Sequence, residues 1–427
     1  MYQKPDRIKA PELKTIESVN YIVPEKATLI NGIPVFMQKG GSQDIVKFEI
    51  VFKSGSYQQK KTLQAFAAAN LLRSGTSNKK SEEINQLWDF YGATLQVDAQ
   101  KDIISVGFVS LTKHLEPLLN IFFEILTMPV FPDDELEIFL KNRKQKFLVN
   151  KRKVQYLARV HFAELIFGPD HPYGKALQEN DFDNLERVDL VAYHEEYLHS
   201  GNAVCFIAGN YPEKIIEQVN KIAEKFTWKK VPPKVIKTLS IQSTKTSVNE
   251  IEKDEALQSA IRIGKPIINR NHPDFHLLSI TNTLLGGYFG SRLMRNIRQD
   301  KGFTYGINSA IVNLLRGAYF FIGSQVGKHV KKQAVEEVYK ELKILRKQPA
   351  ADSEILMLKN YLTGSFLRSF DGPFMQNERL KEILLFNQDY SWFDSYLEIL
   401  KKFNAEDICR TAEKYLREDS MIELTVG

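Results

Sequence analysis

Hydrophobic and polar residues alternate in short stretches near the start of the chain, which is the pattern of β-strands. Val46, Phe48, Ile50 and Phe52 occupy every second position, the period of a strand buried on one face. Just before them, two short apolar runs flank Asn31-Gly32, a dipeptide that favours a tight hairpin turn. The pattern therefore predicts a hairpin followed by a third strand.

A helical period follows these strands. Within residues 114–128 the apolar residues recur every three or four positions and share one helix face. Further helices are predicted at 63–73 and 81–91, and further strands at 94–98 and 103–111. Because strands and helices are grouped, the pattern predicts an α+β fold, with an antiparallel-rich sheet and helices on one face.

The same order of elements occurs a second time along the chain. Residues 197–209, predicted as a helix end, a polar turn and an apolar strand, are matched 218 residues later by 415–427. Three further pairs keep a similar spacing, between 210 and 218 residues: Leu140 and Leu358, Lys113 and Lys328, and Gly92 and Gly302. Matched segments in a constant order indicate two copies of one domain.

Two copies account for nearly all of the 427 residues. We predict a first domain at 1–224, a linker at 225–247 and a second domain at 248–427. Pro232-Pro233 and the polar run that follows are typical of an exposed linker. Its length would allow the two domains to face each other.

Composition and charge restrict the class of protein. Hydrophobic residues make up 43% and charged residues 26%, which is ordinary for a folded globular protein. The net charge of +6 is spread along the chain, with its densest basic stretch at 141–153. This balance gives little support for binding to nucleic acid, and we expect no nucleic-acid partner.

Cysteine usage and the first residues bear on the compartment. Cys205 and Cys409 are the only cysteines, which excludes a disulfide framework and a cysteine-rich zinc site, and we expect both to be buried apolar residues. The first twenty residues hold no apolar signal segment, and no window approaches the about 18 apolar residues of a membrane span. We therefore predict a cytoplasmic protein without a membrane span, or a periplasmic one if a leader has been removed.

A series of short motifs carries a family resemblance. Lys53-Ser54-Gly55-Ser56 precedes a helix that ends at Arg73-Ser74-Gly75-Thr76, and Ser81-Glu82-Glu83-Ile84 follows. In the second copy, Leu285-Gly286-Gly287 and Ser291-Arg292-Leu293 precede RQDKGFTY. Over nearly its whole length the chain resembles the pitrilysin or insulinase-type zinc peptidases, which include the mitochondrial processing peptidase and two-domain bacterial enzymes. The resemblance implies two homologous α+β domains that form half of a clamshell.

The metal site that this family uses is missing from the sequence. The family carries H-x-x-E-H on the first helix, with two His ligands and a Glu as general base. Here Phe66 and Asn70 stand at the His positions and Ala69 at the Glu position. The family's third ligand is a Glu about 75 residues further on, but residues 138–163 contain no Asp or Glu. We expect no zinc in this chain.

Other residues with ligand-like spacing are better explained by structure. His272 and His276 are four apart, but Pro273 and Asp274 between them are typical of a helix start. His194 and His199 are five apart and fall on different helix faces. The glycines at 286–290 lack the spacing of a phosphate-binding loop.

One functional signature of the family is retained in the second copy. Arg298, Gly302 and Tyr305 match its R-x-x-x-G-x-x-Y element. The resemblance implies that Arg298 and Tyr305 contact the substrate backbone beside the scissile bond, across a chamber from the zinc. A guanidinium can donate several hydrogen bonds to carbonyls, and a phenol one to a developing oxyanion. The structural alternative is that Arg298 pairs with Asp300 and Tyr305 begins a strand.

The resemblance implies a non-catalytic, substrate-binding subunit of a heterodimeric zinc metallopeptidase. A homologous partner would carry H-x-x-E-H and the zinc, and the substrate would be a peptide or an unfolded protein segment. Two alternatives remain open: a structural or assembly subunit without a proteolytic role, and a homodimeric peptide-binding protein. Zinc in the isolated chain would contradict the first hypothesis.

Overall fold

The computed structural model describes residues 18–228, 231–232, 234, 236–244 and 247–427. The first seventeen residues of the predicted first domain lie outside the described residues. The predicted linker at 225–247 is described in part, with Pro233 among the residues left out. The domain boundaries at 224 and 248 remain predictions.

A six-stranded mixed sheet forms the first half of the molecule, in the order β1-β2-β6-β3-β5-β4. Only the β2-β6 pair is parallel, and the hairpin predicted around Asn31-Gly32 joins β1 to β2. The strands are β1 (Glu25–Thr28), β2 (Pro34–Lys39), β3 (Ile45–Phe52), β4 (Thr94–Ala99), β5 (Ile104–Leu111) and β6 (Ala203–Gly209).

Seven α-helices accompany this sheet in the described part of the first half. They are α1 (Gln64–Asn70), α2 (Ser81–Phe90), α3 (Leu115–Thr127), α4 (Asp133–Lys151), α5 (Val154–Phe167), α6 (Arg187–Tyr197) and α7 (Ile215–Ala223). Helix α3 presents its apolar face to β3, where the ring centroids of Phe122 and Phe48 lie 5.4 Å apart. The face predicted from the helical period is therefore the buried one.

A five-stranded sheet forms the second half, in the order β7-β11-β8-β10-β9. The strands are β7 (Val248–Ile251), β8 (Gln258–Pro266), β9 (Ile307–Leu314), β10 (Gly317–Gly327) and β11 (Ile422–Val426). The helices are α8 (Phe275–Asn282), α9 (Lys331–Lys347), α10 (Asp352–Arg368), α11 (Gly372–Leu385), α12 (Ser391–Lys402) and α13 (Ala405–Tyr415). Two π-helical turns, Thr283–Gly287 and Met294–Asp300, lie between α8 and β9.

The two sheets share one strand order once β1 is set aside. In each half the last strand inserts between two earlier ones, parallel to one neighbour and antiparallel to the other. Gly92 and Gly302 adopt the same left-handed backbone, with φ of +62° and +65°. The predicted α+β class with two similar domains is confirmed.

Strand β3 is buried on both faces, whereas its alternating pattern predicted one. Phe48 faces the helices of its own half, but Glu49 and Val51 on the opposite face are also buried. Helix α11 of the second half covers that face by packing on β2 and β6. In return, α5 of the first half packs on β8 and β11. Each half therefore gives one helix to the sheet of the other.

Ion pairs fill the contact between α11 and the first sheet. Lys381 Nζ lies 2.9 Å from Glu49 Oε1 and 2.8 Å from Glu378 Oε2. Lys47 pairs with both Glu49 and Glu378. The four side chains carry alternating charges and form ion pairs with one another where the two halves meet. This pairing stabilises the contact, since an unpaired charge buried there would be costly.

No helix in the described ranges is both long enough and apolar enough to cross a membrane.

Candidate functional site between the two halves

Helix α1 carries the three positions where the family's metal motif would stand. Ala69 is fully buried in the core of the first half. The Asn70 side-chain Nδ2 donates a hydrogen bond to the Phe66 carbonyl oxygen within the same helix, at 2.8 Å. None of the three side chains offers an imidazole or a carboxylate to a ligand.

Helix α4 lies where the third metal ligand would be expected, and it presents a cation. The guanidinium carbon of Arg143 lies 4.3 Å from the centroid of the Phe66 ring and 5.5 Å from that of Phe139. The Phe66 and Phe139 rings are themselves 5.9 Å apart. Burial lowers the pKa of Arg143. A cation–π stack therefore occupies the region where the family's metal ligands would be expected.

The residues present do not fit zinc. A catalytic zinc site needs three protein ligands from His, Cys, Asp or Glu. Within the described ranges, no three such residues are grouped so that they could share a metal ion. The described residues therefore do not supply the ligand set of a catalytic zinc ion.

The histidine pairs with ligand-like spacing have structural surroundings. His272 is exposed beside the Tyr415 ring, while His276 is buried, with its ring centroid 4.4 Å from that of Trp392. Helix α8 begins at Phe275, two residues after Pro273. His194 Nε2 donates to the Leu126 carbonyl oxygen at 2.7 Å, and burial lowers its pKa.

The two cysteines differ in their surroundings. Cys205 is buried on β6, and burial raises the pKa of its thiol well above the ordinary value. Cys409 on α13 is only half-buried, so the expectation of two buried cysteines holds for Cys205 alone.

The glycines at 286–290 belong to the packing of the second half. Gly286 lies in the π-helical turn Thr283–Gly287, against β9. A Cβ atom at this position would lie 2.6 Å from the backbone nitrogen of Ser309. The glycine therefore allows a close approach of two backbones, as expected of a structural connection.

The R-x-x-x-G-x-x-Y element forms the turn that leads into β9. Arg298 lies in the π-helical turn Met294–Asp300, and its guanidinium carbon is 4.8 Å from the centroid of the Phe289 ring. Among the described residues Arg298 makes no ion pair with Asp300, and β9 begins two residues after Tyr305. Gly302 between them takes the left-handed conformation that the turn requires.

Tyr305 projects from a loop that is held on both sides. Its side chain is 93% exposed. Next to it, Thr304 Oγ1 donates to the Gln325 carbonyl oxygen at 2.7 Å, and the Gly306 nitrogen donates to Thr304 Oγ1 at 3.1 Å. Tyr305 borders a cavity of about 510 Å³, whose lining includes Arg262 but not Arg298. The phenol is therefore available to a ligand, and its backbone is fixed.

A second cavity, of about 410 Å³, lies beside Phe66 and is lined by both halves. Lys101, Arg159 and Lys175 come from the first half, whereas Leu314 and Tyr319 come from the second. Sequence reasoning missed these residues as a site, because they are far apart along the chain. The signal was the basic, acid-free segment 138–163, which contains Arg159.

Comparisons with known proteins agree with this fold. A family model described as the peptidase M16 inactive domain matches residues 184–362. The chain is 20% identical to the uncharacterized zinc protease YmxG of Bacillus subtilis, over 94% of this chain and 97% of that protein. It is 22% identical to the non-peptidase homolog YmxG of Helicobacter pylori, over 87% of this chain and 84% of that protein.

Solved structures show the same architecture. A peptidase M16 inactive domain from Pseudomonas fluorescens superposes with a TM-score of 0.86 at 23% identity, covering 95% of this chain and 98% of that one. A protease from Helicobacter pylori superposes with a TM-score of 0.84 at 18% identity, covering 95% and 100%. In sequence and fold the chain is similar to pitrilysin-like proteins of the M16 peptidase family. The inactive-domain match and the non-peptidase homolog support a non-catalytic protein, in keeping with Phe66, Ala69 and Asn70 where the sequence predicts the motif positions.

Proposed function

We propose that this chain is the substrate-binding, non-catalytic subunit of a heterodimeric zinc metallopeptidase. The observation that carries the proposal is a contrast between the halves. The positions for metal ligands hold a Phe66–Arg143 stack, while Tyr305 is exposed on a pinned loop beside a cavity. A homologous partner chain would supply H-x-x-E-H and the zinc.

In this role Tyr305 and Arg298 act on a substrate that the partner cleaves. The Tyr305 hydroxyl donates a hydrogen bond to the oxyanion that develops on the scissile carbonyl. The Arg298 guanidinium, which rests on Phe289, would turn toward backbone carbonyls of an extended peptide. The peptide would bind by adding a strand to a sheet edge.

The test is reconstitution with a homologous chain that carries H-x-x-E-H. We expect hydrolysis of a quenched peptide library only by the complex, and no stoichiometric zinc in this chain alone. Tyr305→Phe retains the ring and removes the hydroxyl, and we expect kcat to fall on the order of 10²-fold, as for other oxyanion donors. Arg298→Ala should lower kcat/KM as well.

Matched controls separate these effects from general damage. Tyr361→Phe and Arg368→Ala alter exposed side chains on α10 and should leave activity unchanged. Full activity of Arg298→Ala and Tyr305→Phe complexes would contradict the proposal. Stable incorporation into a larger assembly that never shows peptidase activity would indicate a structural subunit, and a dimer of this chain that binds peptides by itself would indicate the homodimeric alternative.

A further inference from the structure

Among the described residues, those that line the cavity beside Phe66 include cations and no carboxylate. Its charged lining residues are Lys101, Arg159 and Lys175, while the remaining residues are apolar, aromatic or neutral polar. Tyr156 and Tyr319 contribute rings to the wall, from α5 and β10 respectively. The space is therefore positively charged and partly apolar.

The carboxylate of Asp102, the next residue after Lys101, already has hydrogen-bond partners. Asp102 Oδ1 accepts from the Tyr173 hydroxyl at 2.6 Å and from Arg316 Nη1 at 2.8 Å, and Asp102 Oδ2 accepts from the Leu315 nitrogen at 2.9 Å. Lys101 Nζ makes only a 3.4 Å contact with the Pro172 carbonyl oxygen among the described residues. The ammonium thus lacks an anionic hydrogen-bond partner there.

Arg159 places a second positive charge at the same cavity. Its guanidinium carbon is 5.5 Å from the centroid of the Tyr156 ring. Burial lowers the pKa of Lys101, Asp102 opposes this, and Arg159 adds to the lowering. Burial likewise lowers the pKa of Arg262 on β8, where Tyr319 opposes it and Arg159 adds to it. Arg159 therefore repels both Lys101 and Arg262, and within the described ranges none of the three forms an ion pair.

We infer that the cavity is a carboxylate-binding site for a peptide, with Lys101 and Arg159 as the binding residues. Repelling cations without counter-ions are stabilised when an anion enters, and a guanidinium donates paired hydrogen bonds that match a carboxylate. A volume of about 410 Å³ accommodates one or two residues of a peptide. The rings of Tyr156 and Tyr319 would contact their apolar atoms. That the ligand is a peptide rests on the proposed function.

Two sources of the carboxylate are possible, the C-terminus and an Asp or Glu side chain. Isothermal titration calorimetry on the full chain distinguishes them with three N-acetylated peptides of one apolar sequence: the free acid, the C-terminal amide, and the amide with one internal Glu. We expect the amide to bind about tenfold more weakly than at least one of the other two, as a lost charge-assisted hydrogen bond predicts. Whichever acid restores affinity is the source.

Variants then assign the site. Arg159 is exposed on α5, so Arg159→Gln should fold normally, and it should remove the difference between acid and amide. Lys101→Gln should reduce that difference, and the matched control Arg368→Gln should preserve it. Rising salt should weaken binding of the acid and leave the amide unchanged. Inorganic phosphate should compete with the acid peptide.

Equal affinity for all three peptides would overturn the inference. So would an Arg159→Gln variant that keeps the full difference between the amide and the carboxylate peptide that bound more tightly. This failure is distinct from failure of the proposed function, which is read from peptidase activity of Arg298 and Tyr305 variants in the complex. If those variants stay active while the acid–amide difference persists, the carboxylate site stands and the role in proteolysis does not.

Discussion

The guanidinium carbon of Arg143 lies 4.3 Å from the centroid of the Phe66 ring. This contact joins α1, which holds the positions of two family metal ligands, to α4, where the third would come from. The two helices therefore contact each other through a cation–π stack rather than through a shared metal ion. A half-buried cation at this place opposes a divalent metal by charge repulsion.

The first prediction is that restoring two imidazoles does not restore a metal site. Phe66→His with Asn70→His gives two His four residues apart on α1, yet α4 still offers no carboxylate and Arg143 remains nearby. We expect less than stoichiometric zinc in the double variant, measured by elemental analysis after dialysis. Adding Arg143→Glu should raise the zinc content. Full zinc occupancy in the double variant alone would show that Arg143 does not oppose the metal.

The second prediction concerns the tie between the halves at Asp102. This carboxylate is buried and accepts from Tyr173 of the first half and from Leu315 and Arg316 of the second. Asp102→Ala should lower the free energy of unfolding by about 3 kcal/mol, because it leaves a partly buried guanidinium without its partner. Urea denaturation measures this change. The control is Asp98→Ala, at an exposed position on β4 of the first sheet. A loss of unfolding free energy in Asp102→Ala no greater than in this control would contradict the prediction.

The third prediction uses the matched glycines Gly92 and Gly302. Both have positive φ, and no atom of the described part of the chain lies within 4 Å of a Cβ built at either position. Alanine should therefore cost about 1 kcal/mol of stability through backbone strain alone. Gly364→Ala is the control, since this glycine lies inside α10 and alanine should stabilise the helix by about 0.5–1 kcal/mol. Thermal denaturation should show lower stability for the Gly92→Ala and Gly302→Ala variants and higher stability for Gly364→Ala.

The fourth prediction is a pH dependence that comes from His276. Burial against Trp392, with a smaller effect of Arg270, lowers its pKa to about 4. The unfolded chain binds a proton near the ordinary pKa of 6.5, so stability is fully present above that pH and is lost as the pH falls toward 4. The loss should approach about 3 kcal/mol. His276→Phe removes the proton-binding group.

The measurement for His276 is the free energy of unfolding of both proteins from pH 7 to pH 4. Other buried histidines such as His171 and His194 contribute in both proteins, and their effect cancels in the difference. The wild-type curve should fall more steeply with decreasing pH. Parallel curves would show that His276 does not titrate as its burial requires.

Much of the fold followed from periodicity, and the remainder depended on contacts between distant segments. The strand at β3, the hairpin at Asn31-Gly32 and the helix α3 all lie where the pattern placed them. The burial of Glu49 was not predicted, because its partner Lys381 lies on α11 in the other half. A charged residue on a strand predicts that its face is exposed to solvent, unless an oppositely charged partner is known to lie near it.

The candidate site was likewise predictable from the sequence only in part. The lack of a metal motif could be predicted, because the sequence has Phe66, Ala69 and Asn70 where the resemblance places specific residues at a fixed spacing. The assignment of these three positions stays a prediction. The cationic cavity could not be predicted from the sequence. Lys101, Arg159 and Tyr319 line one cavity only in the folded chain, where α5 of the first half packs on the sheet of the second. The roles of Arg298, Gly302 and Tyr305 stay predictions, and the structure separates Arg298 from the cavity that Tyr305 borders.

The strand order also constrains when this protein can fold during its synthesis. In the first sheet β6 lies between β2 and β3, and in the second β11 lies between β7 and β8. The first sheet therefore cannot close before Gly209 has left the ribosome, and the second cannot close before Val426 has. Until then the edges of β8 and β7 that pair with β11 stay unpaired in the nascent chain, where binding by a chaperone would protect them from aggregation.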